Sequence, residues 1–146
     1  MNLTDKILMV RPNTFRSNEQ TMINNYFQKG NSKNDDKDIL TKALKEFDDL
    51  TSVISKNNIE ITVVEGSKLF DNPDEIFPNN WIVFDDNKIG IFPMNALNRR
   101  TEINYDLINK INKKNKYKII DYSNYVEKNI FLEGTGSVVL DRANKK

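Results

Sequence analysis

A long amphipathic stretch over Asp36–Lys56 constrains the fold of this chain more than any other feature of its sequence. Apolar residues recur there at spacings of three and four, which places them on one face of a helix. They are Ile39, Leu40, Ala43, Leu44, Phe47, Leu50, Val53 and Ile54. The stretch therefore predicts one long helix that buries a single apolar face.

Two β-branched runs flank this helix. Residues 6–12 read as a buried strand that stops at Pro12, and residues 59–64 alternate between apolar and polar side chains. A strand on each side of a helix predicts a βαβ unit. Between the first strand and the long helix, we expect a short helix within residues 17–28 and a loop over the polar residues 29–36.

The second half of the chain predicts a hairpin, a helix and a strand. Residues 81–84 and 88–92 are short apolar runs around a turn rich in Asp and Asn. Residues 101–115 carry apolar side chains at helical spacing, with Thr101 as the expected N-cap, and residues 117–121 form the next strand.

A second hairpin is predicted where residues 129–133 and 137–141 flank a glycine-rich turn. The order hairpin, helix, strand, hairpin indicates a repeated ββαβ unit. The first unit lacks its opening strand, the second is complete, and the third ends after its hairpin. No composition shift marks a second domain, so we expect residues 1–146 to form one domain.

Composition excludes several classes of chemistry. The chain has no Cys and no His, which removes disulfides, thiolate metal sites, a Cys nucleophile and the usual proton-transfer side chain. We expect no metal and no cofactor. A net charge of +1 gives no field for nucleic acid, and the basic residues within 110–118 read as a solvated helix end. No apolar run is long enough for a signal peptide or a membrane span, so we expect a soluble, cytoplasmic protein without membrane contact.

Four strings in fixed order resemble the pentein superfamily of guanidino-group-modifying enzymes. They are MVRP at residues 9–12, FPNNW at 77–81, NRR at 98–100 and LEGTGSVVLDR at 132–142. Within the superfamily they are similar to the amidinotransferase-like branch, which includes citrulline-utilisation hydrolases and relatives of arginine deiminase.

The resemblance implies an α/β fold, a pentein propeller built from ββαβ repeats, in a chain of roughly twice this length. The present residues would then be the N-terminal half, about half of a five-bladed ring. In such enzymes a late Cys attacks the guanidino or ureido carbon and a His protonates the departing amine. Neither residue type occurs in this chain.

Glu133 is the expected catalytic residue of this half. It occupies the position of the acidic residue that leads the family's Glu-Gly-Gly-type motif, where it would accept hydrogen bonds from substrate nitrogens and orient the catalytic His. The alternative from the sequence alone is an exposed carboxylate in a hairpin turn. An independent hydrolase in which Glu133 activates Ser137 or Thr135 is a weaker interpretation.

The expected substrate-binding residues include Asn79, Asn80 and Trp81, with turn asparagines and a core tryptophan as the alternative. Many relatives that modify guanidines carry Asp at the position of Asn80. An amide both donates and accepts, so it suits a neutral ureido group better than a cation.

Three arginines complete the expected binding set. Arg99 and Arg100 could clamp a substrate carboxylate by bidentate hydrogen bonds, or form a surface pair at a helix start. Arg11 could point into the substrate channel or bridge two blades.

Three functions stay open at this point. The chain is the N-terminal part of a citrulline or arginine hydrolase or deiminase, inactive by itself, with a guanidino or ureido amino acid as ligand and a separate C-terminal-half chain as partner. Alternatively, it is a non-catalytic remnant, or it is a stand-alone module that binds a small molecule.

Overall fold

The computed structural model of the chain describes residues 4–22, 36–139, 141 and 144 and divides into two units, Met1–Pro78 and Asn79–Lys146. The architecture is mixed α/β, with one two-stranded and one three-stranded sheet in the described ranges. No helix in these ranges is both long enough and apolar enough to cross a membrane.

The first unit contains the predicted βαβ motif. Its elements are β1 (Lys6–Arg11), α1 (Glu19–Met22), α2 (Asp36–Lys56) and β2 (Glu60–Glu65). β1 and β2 pair in parallel, with Lys6 opposite Glu60 and Arg11 opposite Glu65. The bounds of α2 match those that the periodicity predicts, and Phe47 on its apolar face is buried. The second half of the range predicted for the short helix, residues 23–28, and residues 29–35 of the loop after it lie outside the described residues.

A buried carboxylate joins the carboxyl ends of these two parallel strands. Glu75 Oε1 accepts a hydrogen bond from Asn13 N at 2.6 Å, and Oε2 accepts one from Ser67 N at 2.9 Å. Gly66 lies against the same carboxylate, where any Cβ would clash with it. Desolvation by burial raises the pKa of Glu75, and the backbone N–H groups oppose that rise.

The second unit, Asn79–Lys146, contains one complete ββαβ motif. Its elements are β3 (Ile82–Asp85), β4 (Lys88–Ile91), α3 (Leu97–Arg100), α4 (Tyr105–Asn115), β5 (Lys118–Asp121) and α5 (Gly134–Ser137), with 3-10 turns at Pro78–Asn80 and Ser123–Lys128. The sheet order is β3-β4-β5, antiparallel between β3 and β4 and parallel between β4 and β5. The predicted hairpin and the following strand are therefore confirmed.

The predicted N-cap of α4 is wrong by three residues. Thr101 caps the C-terminal end of α3 and donates its hydroxyl to Asn98 O. Asn104 is the N-cap of α4, and its side chain accepts a hydrogen bond from Leu107 N at 2.9 Å. Both residue types cap helices well, so the sequence did not discriminate between them. At its other end α4 stops at Lys116, whose φ of 55° is left-handed.

The predicted second hairpin is also wrong. Residues 129–133 and 137–139 are not strands, and α5 stands where the turn was expected. Ser137 N donates to Glu133 O at 2.8 Å, which closes a helical turn, and Leu132 N donates to Pro93 O rather than to a neighbouring strand. The third predicted repeat is therefore absent from the described residues.

Candidate functional site

Two segments far apart in sequence meet in the second unit, and both belong to the strings singled out above. Gly134 lies directly on the main chain of Asn79 and Asn80, and a Cβ at this position would be 2.8 Å from Asn80 O. Backbone atoms cannot move aside as a flexible side chain can. The absence of a side chain at Gly134 therefore allows the two segments to touch.

Thr135 fastens the same contact. Asn79 Nδ2 donates to Thr135 Oγ1 at 2.5 Å, and Thr135 Oγ1 lies 3.3 Å from Asn79 O, to which it donates. One hydroxyl thus binds both the side chain and the main chain of Asn79. The Thr135 hydroxyl is committed to this role, which counts against the interpretation of Thr135 as a nucleophile.

Asn80 and Glu133 flank the same small space above Gly136. A Cβ on Gly136 would lie 2.9 Å from Asn80 Nδ2 and 3.7 Å from the Cβ of Glu133. The structure therefore brings the side-chain amide of Asn80 and the Cβ of Glu133 close to the same glycine. Both residues are among the site residues that the sequence predicts.

The Glu133 carboxylate is held by a main-chain group. Its Oε1 accepts a hydrogen bond from Asn95 N at 3.2 Å, and the Glu133 side chain is half-buried. Met94, the preceding residue, is completely buried. Asn95 N therefore projects from a turn that is anchored in the core.

Arg100 binds this turn from the other side. Its Nε donates to Met94 O at 3.0 Å and its Nη2 donates to Asn95 O at 2.9 Å. Its guanidinium carbon lies 5.4 Å from the centre of the Phe131 ring. These contacts place Arg100 between the turn and the segment that leads into Glu133.

Arg99 is buried, and its guanidinium is paired. Its Nε and Nη2 donate to the two carboxylate oxygens of Glu102, each at 3.0 Å, and both side chains are almost inaccessible to solvent. It is therefore not the surface residue that one alternative expected. That Arg99 and Arg100 bind a substrate carboxylate stays a prediction. In the structure, Arg99 binds Glu102, and Arg100 binds the main-chain carbonyls of the Met94–Asn95 turn.

Trp81 and Arg11 are not part of the contact between the two segments in the second unit. Trp81 is 1% exposed, and its burial favours the alternative of a core tryptophan. Arg11 lies in the first unit, where Nε and Nη2 bind the two carboxylate oxygens of Asp48 at 2.9 and 3.0 Å and so tie β1 to α2. The hydrogen bond with Arg11 lowers the pKa of Asp48.

The side chains near Gly136 are groups that form hydrogen bonds. No cluster of three or more His, Cys, Asp or Glu side chains that could ligate a metal occurs in the described part of the chain. An amide and a carboxylate beside a glycine offer acceptors for ligand N–H groups and one donor for a ligand oxygen.

Two members of this cluster were missed at the sequence level as partners of the site. Thr135 was considered only as a nucleophile, and Asn95 was not among the predicted site residues. Thr135 binds the Asn79 side chain, 56 positions away in the sequence. Asn95 binds the Glu133 carboxylate through its main-chain N–H. A main-chain donor has no side-chain signature, so no sequence signal could have identified it.

The sequence matches the model of a known protein family. A family model described as N,N dimethylarginine dimethylhydrolase, eukaryotic, matches residues 11–146. No curated protein matches the sequence.

Several solved structures share the fold. A dimethylarginine dimethylaminohydrolase variant from Pseudomonas aeruginosa complexed with citrulline is 16% identical, with a TM-score of 0.55 over 82% of this chain and 42% of that chain. The N-terminal domain of ArgZ, covalently bound to a reaction intermediate, is 17% identical, with a TM-score of 0.65 over 94% and 45%. A mutant of AgrE with L-arginine is 18% identical, with a TM-score of 0.62 over 94% and 18%. The chain thus spans less than half the length of these proteins, and the likeness is one of fold.

Proposed function

Because this chain belongs to the N,N dimethylarginine dimethylhydrolase family within the pentein superfamily of guanidino-modifying enzymes, we propose that its second unit binds the guanidino or ureido group of an amino acid. In this proposal Glu133 accepts hydrogen bonds from the ligand nitrogens, and Asn79 and Asn80 supply amides beside it. The observation that carries the proposal is that Gly134, next to Glu133, lies on the main chain of Asn79 and Asn80, and that the Asn80 amide and the Glu133 Cβ both lie close to Gly136.

A neutral ureido compound such as citrulline is the ligand that these groups fit best. The Asn80 amide can donate to a ureido oxygen, while a guanidinium offers only donors. The complex of the bacterial relative with citrulline is compatible with this assignment. The complex of AgrE with L-arginine makes arginine the competing ligand to be tested.

The chemical step needs groups that these 146 residues do not contain. A thiolate adds to the guanidino or ureido carbon and an imidazole transfers the proton, and the chain has neither Cys nor His. We therefore propose that residues 1–146 form the N-terminal half of a pentein domain, with the complete ββαβ unit as one propeller blade. A separate chain with the C-terminal half would supply the Cys and the His.

Binding without turnover is the behaviour that we expect of the isolated chain. Citrulline is added to ¹⁵N-labelled protein, and the side-chain amide signals of Asn79 and Asn80 are followed by NMR. We expect both signals to move with wild type and to stay in place with Glu133→Gln. Asn109→Asp, an exposed change on α4, serves as the matched control and should bind as wild type does.

Substrate preference gives the sharper test. Asn80→Asp adds a charged acceptor for a guanidinium, and a hydrogen bond to a charged group contributes about 1.5 to 3 kcal/mol. The ratio of the dissociation constants for citrulline and arginine should therefore shift toward arginine by roughly tenfold to a hundredfold. An unchanged ratio would show that Asn80 does not contact the ureido group, and turnover by the isolated chain would contradict the proposed division of the catalytic groups.

A further inference from the structure

Glu133 can serve as an acceptor only if its carboxylate is kept in place, and the structure shows one short chain of contacts that does this. Asn95 N donates to Glu133 Oε1, and the carbonyl oxygen of the same residue accepts from Arg100 Nη2. The carbonyl of the preceding residue, Met94, accepts from Arg100 Nε. A single guanidinium therefore binds two consecutive carbonyls of the turn whose N–H binds Glu133.

The segment on the other side is fixed by the same side chain. The guanidinium of Arg100 lies over the ring of Phe131, two residues before Glu133. Between these two residues, Leu132 N donates to Pro93 O at 3.1 Å. Arg100 thus contacts Asn95 on one side and, on the other, a residue two positions before Glu133.

We propose that Arg100 is a positioning residue that fixes the Glu133 carboxylate through the Met94–Asn95 turn. The planar guanidinium matches this task because its donors lie in a rigid fork that reaches two neighbouring carbonyls while its face stacks on a ring. A Lys ammonium in its place could reach one carbonyl and would lack the planar face. The inference rests on the proposed function, since Glu133 gains its importance from ligand binding.

The Asn95 amide is the direct reporter of this arrangement. Because Asn95 N–H donates to the Glu133 carboxylate, this amide should exchange slowly with solvent in the wild-type protein. Glu133→Ala removes the acceptor and should speed that exchange. An unchanged exchange rate in Glu133→Ala would overturn the inference at its first link, independently of Arg100.

Arg100→Gln tests the second link. We expect the Asn95 amide to exchange with solvent on the order of tenfold to a hundredfold faster, because two hydrogen bonds from a charged donor to the turn are gone. Arg100→Lys should restore slow exchange in part. Lys128→Gln is the matched control: it removes a cation that lies over the ring of Tyr125 in the same unit, and it should leave the Asn95 amide unchanged.

Phe131→Leu keeps the inference testable if Arg100→Gln does not fold. This change keeps an apolar side chain but removes the ring beneath the guanidinium, and it should speed exchange of the Asn95 amide more than that of amides in α4. An unchanged Asn95 amide in a folded Arg100→Gln or Phe131→Leu protein would overturn the inference. All of these measurements are made without ligand, so a failure of citrulline to bind would contradict the proposed function alone.

Discussion

Asn79 and Thr135, 56 residues apart, exchange two hydrogen bonds through one hydroxyl. The contact joins the FPNNW string to the glycine-rich segment that follows Glu133. It also orients the Asn79 amide, because the hydroxyl accepts from Nδ2 while it donates to the main-chain carbonyl of the same residue.

Thr135→Val should weaken this contact while preserving the shape of the side chain. We expect the free energy of unfolding to fall by about 1 kcal/mol, the usual net contribution of a hydrogen bond, and the Asn79 side-chain signal to broaden. Thr135→Ser keeps the hydroxyl and should retain the signal. Urea unfolding and ¹⁵N NMR measure the two effects, and an equally broad Asn79 signal in Thr135→Ser would contradict the assignment.

Gly134→Ala and Gly136→Ala should separate folding from binding. A methyl group on Gly134 meets main-chain oxygens of Asn79 and Asn80, which cannot move without distorting the segment, so we expect a loss of about 1 to 3 kcal/mol in the free energy of unfolding. A methyl group on Gly136 meets the mobile end of the Asn80 side chain, which can rotate away.

Gly136→Ala should therefore unfold close to wild type in urea but bind citrulline more weakly, because the Asn80 amide is displaced. Calorimetric titration measures the binding. Wild-type affinity in Gly136→Ala would show that the position of the Asn80 amide is irrelevant to the ligand.

Single substitutions in the Arg99–Glu102 pair should be strongly destabilising. Each leaves a buried charge without its partner, which costs about 3 to 5 kcal/mol, so Arg99→Gln and Glu102→Gln should each unfold at much lower urea concentration. The double variant Arg99→Gln/Glu102→Gln should lose less stability than the sum of the losses from the two single changes. Strict additivity would show that the two side chains do not stabilise each other.

The pH dependence of stability should reveal Glu75. Its pKa in the folded chain lies above the ordinary value of 4.5 because burial penalises the charged carboxylate. The stability that it contributes is fully present below about pH 4.5 and is lost as pH rises through the folded pKa. The unfolding free energy of the wild type should therefore fall relative to that of Glu75→Gln as pH increases. Glu46→Gln, exposed on α2, is the control, and parallel pH profiles of wild type and Glu75→Gln would contradict the expected role.

The elements that the sequence predicts well are those whose signal is local. The apolar face of Asp36–Lys56 is defined within the helix itself, and the β3–β4 hairpin is defined by its two runs and the turn between them. Gly134 was read as part of a hairpin turn because glycine is common there. Its actual role depends on the carbonyl oxygens of Asn79 and Asn80, which no local pattern can indicate.

The same distinction applies to the site. Glu133 and Asn80 could be selected because their side chains lie in strings that resemble a family, and the structure places them beside the same glycine. The partners that hold Glu133 are a main-chain N–H at Asn95 and, behind it, main-chain carbonyls bound by Arg100. Such partners are set by the path of the backbone and not by residue type.

In the described residues, no glycine occupies a left-handed backbone position, although glycine adopts that conformation most easily. The left-handed positions of the described residues are filled by Asn58, Asp86, Lys116 and Asn129, and none of the described glycines has a positive φ. Glycine substitutions at those four positions are therefore candidates for stabilising the protein. Lys116→Gly, for example, should raise the melting temperature because the left-handed region is strained for a residue with a Cβ. Glycine positions should behave in the reverse way in a library of all substitutions. Every other residue at Gly66 or Gly134 should destabilise the fold, because a Cβ at either position would clash with neighbouring atoms.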